Sequence, residues 1–451
     1  MKQIAVLGLG YIGLPTASIL ATNGFTVHGI DISPNVVNII NKGGIHIEEP
    51  GLKTLVQAAV NSGNLKAFTQ PQTADVYILA VPTPITEDKR ADMSYVESAA
   101  RSILPLLKAG DLVILESTSP PGTTVDFLCP ILAESGLGIG TDLFVAHCPE
   151  RVLPGKIIKE LIQNIRVIGG VNDSSARMAK DIYASFVEGD IHLTDATTAE
   201  MVKIMENTFR DVNIALANEL AQIAPKLNIN AWDVIRFSNL HPRVNLHAPG
   251  PGVGGHCISV DPWFVVERFP ELAQLINRSR HINDYMPEYT YKMVLNAVKG
   301  IEHPKVTMLG LTYKPDVDDI REAPALKILE MMHGNPDLQV AVYDPHVKHS
   351  DCELFGLEAA IRDSDCILLA VDHAEFKFIH PRQVASIMRT RQVIDTKNAL
   401  NEQDWTAAGF NYLLLGRDGI ESAAVLTDAP EMEVSAAHHQ NQEEPQLAMS
   451  V

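Results

Sequence analysis

Two stretches of this chain carry residue types whose spacing could do chemistry. The first is Pro251-Gly252-Val253-Gly254-Gly255-His256-Cys257, running into Ile258-Ser259-Val260-Asp261-Pro262-Trp263. Glycines project nothing from Cα and let backbone pack close to a ligand. A thiol follows at once, and Asp261 with Pro262 reads as the N-cap and first position of a helix. A thiol beside glycine amides and a helix start is placed to become a thiolate, the reactive form. An inert, buried cysteine is the plainer alternative. The second stretch is Gly8-Leu9-Gly10-Tyr11-Ile12-Gly13, directly behind the apolar run Ile4-Ala5-Val6-Leu7. Between a strand and a helix, Gly8 permits a tight turn, Gly10 lets backbone approach a pyrophosphate, and Gly13 allows close helix–strand packing. The helix start adds amides and the positive end of a dipole. Asp31, at the end of the next strand pattern, can bind both ribose hydroxyls and would repel a 2′-phosphate, which favours NAD over NADP. A nicotinamide site together with a nucleophilic cysteine implies oxidation through a covalent sulfur adduct.

Other candidates lie between these stretches. Val81-Pro82-Thr83-Pro84 and Ser117-Thr118-Ser119-Pro120-Pro121-Gly122 both follow apolar strand runs. Ligands of open α/β sheets sit beyond the carboxyl ends of the strands, so Thr83 and Thr118 are candidates to meet cofactor or a reacting water. Turn chemistry alone would also place Thr, Pro and Gly there. Lys203, Asn207 and Arg210, spaced by four and three, share one helix face. A solvated face is the alternative, but Asn207 and Arg210 stand among Ile204, Thr208 and Phe209. Glu150 follows a further strand candidate and reads equally as a helix-start or salt-bridge carboxylate.

The elements that must hold these residues fall into three textures. In the first part, short apolar runs at 4–7, 27–30, 76–79 and 112–115 alternate with helical patterns, and more strand candidates follow at 144–146 and 166–168. That pattern predicts a doubly wound parallel sheet over residues 1–196. From 197 to 300 the texture is helical. Ala199 to Ala224 reads as one long helix, and the stretch 273–298 as helix with Pro287 starting a new one. Alternation returns over 301–420, with strands expected at 306–309, 339–342, 366–369 and 392–394. The fold class is therefore α/β: two Rossmann-like domains joined by a central helical domain. From residue 421 to 451 the chain has no Lys or Arg and reads as a disordered tail.

Composition narrows the function classes. The 451 residues are 46% hydrophobic with a formal net charge of −19, enough for sizeable cores and without the clustered cations of a nucleic-acid surface. No long uncharged apolar stretch reads as a membrane span, and the N-terminus has no leader pattern. Five cysteines far apart in sequence form neither a disulfide framework nor a zinc motif, which suits a reducing cytoplasm. Cys129, Cys148, Cys352 and Cys366 read as buried or partly buried thiols. His438-His439 in the tail make no convincing metal site, so no metal is expected.

Taken together, these motifs resemble the UDP-glucose/GDP-mannose dehydrogenase family. They occur in order: the glycine loop, Val81–Pro84, Ser117–Gly122, Cys148-Pro149-Glu150-Arg151, the Lys203 helix, the cysteine loop, and Tyr313-Lys314-Pro315 with Asp319-Ile320-Arg321-Glu322. The blocks 151–155, 209–213, 241–245 and 261–264 resemble members acting on UDP-N-acetyl-D-mannosamine. UDP-N-acetylglucosamine, UDP-glucose, or an isomerase that retains its NAD stay open as alternatives. The resemblance implies a double oxidation of the sugar C6 alcohol to a carboxylate by two NAD, with the intermediate held on Cys257. It implies Lys203 as acid/base and oxyanion partner with Asn207 beside it. Asp261, Glu150 and Thr118 would handle the water that cleaves a thioester. It places the cofactor against Gly8, Gly10, Tyr11, Ile12, Gly13, Asp31, Thr83, Thr118 and Arg321. It places the UDP-sugar against Arg151, Val152, Lys203, Asn207, Arg210, His241, Arg243, Gly254, Tyr313 and Lys314. Arg243 would reach into the neighbouring subunit's site of a homodimer. An isolated surface salt bridge is the ordinary fate of any one of these arginines.

Overall fold

The computed structural model describes residues 2–255, 257–348 and 350–420. The tail from 421, with His438 and His439, lies outside the described residues, as does His256.

The apolar runs become strands because their side chains are buried on both faces, as a helix-covered parallel sheet requires. Eight strands form the first sheet: β1 Gln3–Leu7, β2 Thr26–Ile30, β3 Leu65–Phe68, β4 Val76–Leu79, β5 Leu112–Leu115, β6 Phe144–His147, β7 Arg166–Gly170 and β8 Ile191–Asp195. Their order is β3-β2-β1-β4-β5-β6-β7-β8. The sheet is not parallel throughout: β6 and β7 pair antiparallel, Ala146 opposite Gly170 and His147 opposite Gly169. Separate apolar clusters cover its two faces, one around Ile4, Val6, Leu20 and Ile78, the other around Leu7, Tyr77, Val113 and Leu132. The strand order reverses between β1 and β4, and the loops after those strands carry Gly8 and Val81, so a crevice opens at this switch point.

The second sheet holds β9 Lys305–Leu309, β10 Gln339–Tyr343, β11 Cys366–Leu369, β12 Gln392–Asp395 and β13 Asn411–Leu414, all parallel in the order β10-β9-β11-β12-β13.

A helix of 28 residues, Ala196–Ile223, starts where β8 ends. The Asp195 carboxylate caps it by accepting the Thr198 amide at 2.8 Å. It packs along Gln274–Ala297 through a buried polar seam: Arg280 pairs with Asp211 at 2.5 Å, and the Asn283 amide donates to Asp211 at 2.8 Å. Pro287 does not start a new helix; it sits inside Gln274–Ala297. A shorter helix between the sheets is Asp261–Arg268, whose Trp263 and Phe264 pack on Ile204 of the long helix. No helix among the described residues is long and apolar enough to cross a membrane.

Candidate active site between the two sheets

The glycine loop behaves as its spacing predicts. Gly8 takes φ +90°, and a Cβ there would meet the Ala80 carbonyl oxygen at 2.5 Å; a Cβ on Gly13 would meet the Gly8 oxygen at 1.8 Å. Both are closed by protein. A Cβ on Gly10 would meet nothing within 4 Å, so the loop is open on the side where a pyrophosphate would lie. Ile12 precedes the helix Gly13–Thr22, which starts directly behind the loop. Asp31 ties the crevice together by accepting the Leu9 amide at 3.2 Å and the Ser33 amide at 2.9 Å. These residues fit a dinucleotide. Across the crevice Thr83 donates its hydroxyl to the Thr118 carbonyl at 2.6 Å, and Ser117 donates to the Val81 carbonyl at 2.7 Å, so the two loops are joined.

Cys257, Asp261, Lys203 and Asn207 come together where the long helix meets the start of Asp261–Arg268. Lys203, Asn207 and Asp261 are buried; Cys257 keeps an exposed face, although protein crowds its sulfur on the other sides. The Asn207 amide donates to the Asp261 carboxylate at 2.5 Å, and Arg210, itself exposed, donates to the Asn207 carbonyl. Burial raises the Asp261 pKa to about 6, against the opposing pull of Lys203, Asn207 and Arg210.

Two expectations fail here for one geometric reason. Asp261 is not an N-cap: it is the first helical residue, Val260 precedes it, and its side chain caps nothing. The amides at this helix start serve the carbonyl of Cys257 instead, Asp261 at 2.8 Å and Val260 at 3.1 Å. They are therefore spent on backbone rather than aimed at sulfur. The thiol is not depressed towards thiolate. Its pKa is raised, first by the desolvating walls of the site and next by the Asp261 charge, with Lys203, Arg210 and Arg321 acting in the other direction.

The glycines of the cysteine loop also serve a different partner from the ligand expected of them. A Cβ on Gly254 would meet the Glu322 oxygen at 2.5 Å and Pro324 Cδ at 2.7 Å; one on Gly255 would meet the Tyr313 ring at 3.0 Å. The loop is pressed against the segment after β9, so Tyr313 stands over the Cys257 loop. Burial and the nearby Asp319 and Cys257 push the Tyr313 hydroxyl to about 12. Arg321 is held by Asp319 at 2.7 Å and lies over the Tyr11 ring at 5.2 Å, bridging the second sheet's loop to the glycine loop. Beside this bridge runs a cleft of about 900 Å³ walled by Tyr11, Lys53, Pro154, Tyr313, Lys314 and Lys348 among others. Lys314 reaches the Pro154 carbonyl at 3.5 Å, and burial lowers its pKa. Cys257 and Lys203 are not on the walls of this cleft; Tyr313 is the residue the two regions share.

Other predicted residues are placed elsewhere. Glu150 is buried, with one oxygen accepting the Arg151 amide at 2.6 Å and the other 3.4 Å from Arg166. Arg166 is itself buried over Tyr183, with Glu116 on its other side at 3.9 Å; burial raises Glu116 to about 8. Arg151 is not free for phosphate: its guanidinium pairs with Glu206 of the long helix and donates to the Ile165 carbonyl at 2.9 Å. Val152 packs against the first sheet's core. His241 and Arg243 lie exposed on the segment after Ala231–Ser238. All five cysteines are free; Cys129, Cys148 and Cys366 are buried and Cys352 partly so. Asp316, His346 and His373 gather their ligand atoms within 4.8 Å. However, His373 Nδ1 accepts the Asp316 amide at 2.9 Å and Nε2 faces Asp344 at 3.0 Å, which leaves its ring no lone pair for a metal.

Sequence reasoning assigned no role to Glu200, Glu206, Arg166 or Asp319, which hold the segment after Thr118, Arg151, Glu150 and Arg321 respectively. For Glu200 a signal existed: it precedes Lys203 and Asn207 by three and seven, on the same helix face. For Asp319 the signal was local, since its partner Arg321 stands two residues on in the same motif. Glu206 and Arg166 are set by tertiary contacts with no local pattern.

Comparison with known proteins agrees with this arrangement. Residues 2–187 match the NAD binding domain of the UDP-glucose/GDP-mannose dehydrogenase family, 197–285 its central domain and 307–402 its UDP binding domain. A UDP-N-acetyl-D-mannosamine dehydrogenase from Methanococcus vannielii is 50% identical over 425 residues, 92% of this chain and 97% of the relative. An NDP-N-acetyl-D-galactosaminuronic acid dehydrogenase from Ralstonia nicotianae is 46% identical over 88% of this chain and 96% of its own length. The solved structure of a UDP-D-ManNAc dehydrogenase from Pyrococcus horikoshii superposes with a TM-score of 0.86 at 42% identity, covering 92% of this chain and 99% of that one. Three family domains in sequence order, and relatives matched along nearly their whole length, make this chain a member of the UDP-glucose/GDP-mannose dehydrogenase family, an NAD-dependent dehydrogenase.

Proposed function

We propose that this dehydrogenase oxidises UDP-N-acetyl-D-mannosamine twice at C6, giving UDP-N-acetyl-D-mannosaminuronate in the cytoplasm for surface polysaccharide synthesis. The reading divides the chain into an NAD-binding part at 1–196, a catalytic and dimerising part at 197–300 and a UDP-sugar-binding part at 301–420. The observation that carries it is the assembly of Cys257, Asp261, Asn207 and Lys203 where the parts meet.

Bound NAD would supply the hydride acceptor for each oxidation, so that one alcohol, one water and two NAD would give a carboxylate, two NADH and three protons. Lys203, buried beside Asn207, stabilises the alkoxide and moves its proton. Cys257 forms a bond to the aldehyde carbon as a thiohemiacetal and then a thioester, so the aldehyde never leaves the chain. Thr118, Glu150 and Asp261 orient the water whose oxygen displaces the sulfur, which leaves as thiol. Lys314 and Tyr313, on the 900 Å³ cleft, meet the UDP portion. Arg243 completes the site of the partner in a homodimer. Its exposure, and the exposed Phe209 and Leu216 on the long helix, support that role.

The test is NADH formation by the purified chain with UDP-N-acetylmannosamine, UDP-N-acetylglucosamine and UDP-glucose in parallel, with product counted. Two NADH per uronic acid, mainly from the mannosamine sugar, is the expected result. Another preferred sugar would move the substrate and keep the chemistry. An NAD-retaining isomerase would yield no net NADH. Cys257→Ser should bind both substrates and lose turnover by roughly a hundredfold or more. Steady wild-type turnover by that variant would sink the covalent mechanism.

A further inference from the structure

Glu200 sits one turn before Lys203 on the long helix, facing inward and 1% exposed. Among the described residues no cation pairs with its carboxylate. It accepts the Gly122 amide at 2.6 Å, the Thr124 amide at 2.7 Å and the Thr124 hydroxyl at 2.6 Å. All these donors belong to the segment that follows Thr118. There the chain enters a π-helical turn, Thr123–Leu128, with Gly122 at φ +90° just before it. A carboxylate supplied from another helix therefore caps this turn, where free amides and the dipole favour negative charge. π-turns are costly and concentrate at functional sites.

We infer that Glu200 is a positioning residue, which fixes the Thr118 loop relative to Lys203 and Asn207. The inference rests on the reading of those residues as catalytic. The loop is pinned at its near end by Ser117 and Thr83, and at its far end by Glu200. Between the pins lie Pro120 and Pro121, whose fixed φ leaves little slack to absorb a shift. Lys203 follows Glu200 by three residues and Asn207 by seven, on one rigid face. A movement at Gly122 is thus transmitted to Thr118 and measured against the lysine. An acceptor is required at both carboxylate oxygens, because the Gly122 and Thr124 amides that they hold can only donate. A glutamine would turn an N–H towards one of them. The far side of the turn is tied too: Asp126 pairs with Arg268 at 2.5 Å, at the end of the helix that Asp261 begins.

The experiment compares full-length wild type, Glu200→Gln and Glu200→Asp, using whichever UDP-sugar gives NADH with wild type, well below each thermal midpoint. Glu200→Gln should lower kcat about tenfold or more while the sugar KM stays within about twofold, since misplacing a reacting group costs rate before it costs binding. Glu200→Asp, which keeps the charge, should recover part of that loss. A merely structural role would lower the melting temperature and leave kcat unchanged, and that result in folded Glu200→Gln overturns the inference. If Glu200→Gln does not fold, Thr124→Val decides, since it removes one of the bonds. A fall in kcat of about threefold supports the inference, and an unchanged kcat overturns it. Cys257→Ser measured alongside separates the two claims. Turnover surviving there refutes the site reading itself, whereas its loss there with wild-type kcat in Glu200→Gln refutes only the positioning role.

Discussion

At the residue scale, the site turns on a buried carboxylate whose charge opposes ionisation of the neighbouring thiol. Asp261, raised to about 6, is mostly ionised at neutral pH, and its charge raises the Cys257 thiol. The sign is testable. Removing the carboxylate charge should lower the thiol's pKa, so more thiolate exists at a given pH. In Asp261→Asn, the pH profile of Cys257 alkylation by iodoacetamide, followed by peptide mass spectrometry, should shift to lower pH, with a faster reaction at pH 7. An unchanged profile would mean that the desolvating walls alone set the thiol. Helical spacing made the Lys203–Asn207 face legible in the sequence, because periodicity survives any tertiary context. The state of the thiol was not legible. It depends on where amides point and on how much wall surrounds the sulfur, and neither is written locally.

At the element scale, strands buried on both faces were readable as apolar runs. β3, β8 and β13 were not. β8, Ile191-His192-Leu193-Thr194-Asp195, is an edge strand with no fully buried residue, so it carries no apolar signature. β3 is the opposite edge, only four residues long, and β13 closes the second sheet. The Asp261 helix shows how cap reading fails by one residue: proline fits at the second helical position as readily as at the first. The cysteine loop was correctly seen to need glycine, and only the neighbour was misassigned. Gly254→Ala should therefore destabilise the fold by about 1–3 kcal/mol through overpacking on Glu322 and Pro324. Calorimetry would show a lowered transition for the variant. A wild-type transition would mean that the contact is loose.

At the scale of the whole molecule, the proposed dimer makes a complementation prediction. Arg243→Ala and Cys257→Ser chains should each be inactive. Mixed and re-equilibrated in equal amounts, they should regain about a quarter of wild-type NADH formation, since each hybrid rebuilds one complete site. Absence of recovery, with hybrids demonstrated by native mass spectrometry, would place Arg243 outside the neighbour's site. The seating of the cysteine loop has a mechanical consequence for the single chain. Gly254 and Gly255 lie against Tyr313, Glu322 and Pro324, so the Cys257 loop is seated on the second sheet's segment although the chain numbers it with the helices. Rotation of one sheet against the other would then alter the gap between Cys257 and the glycine loop at Gly10 while preserving the gap between Cys257 and Tyr313. A hinge motion of that kind would therefore change the spacing between the sulfur and the glycine loop while the sulfur and the Tyr313 cleft stayed together.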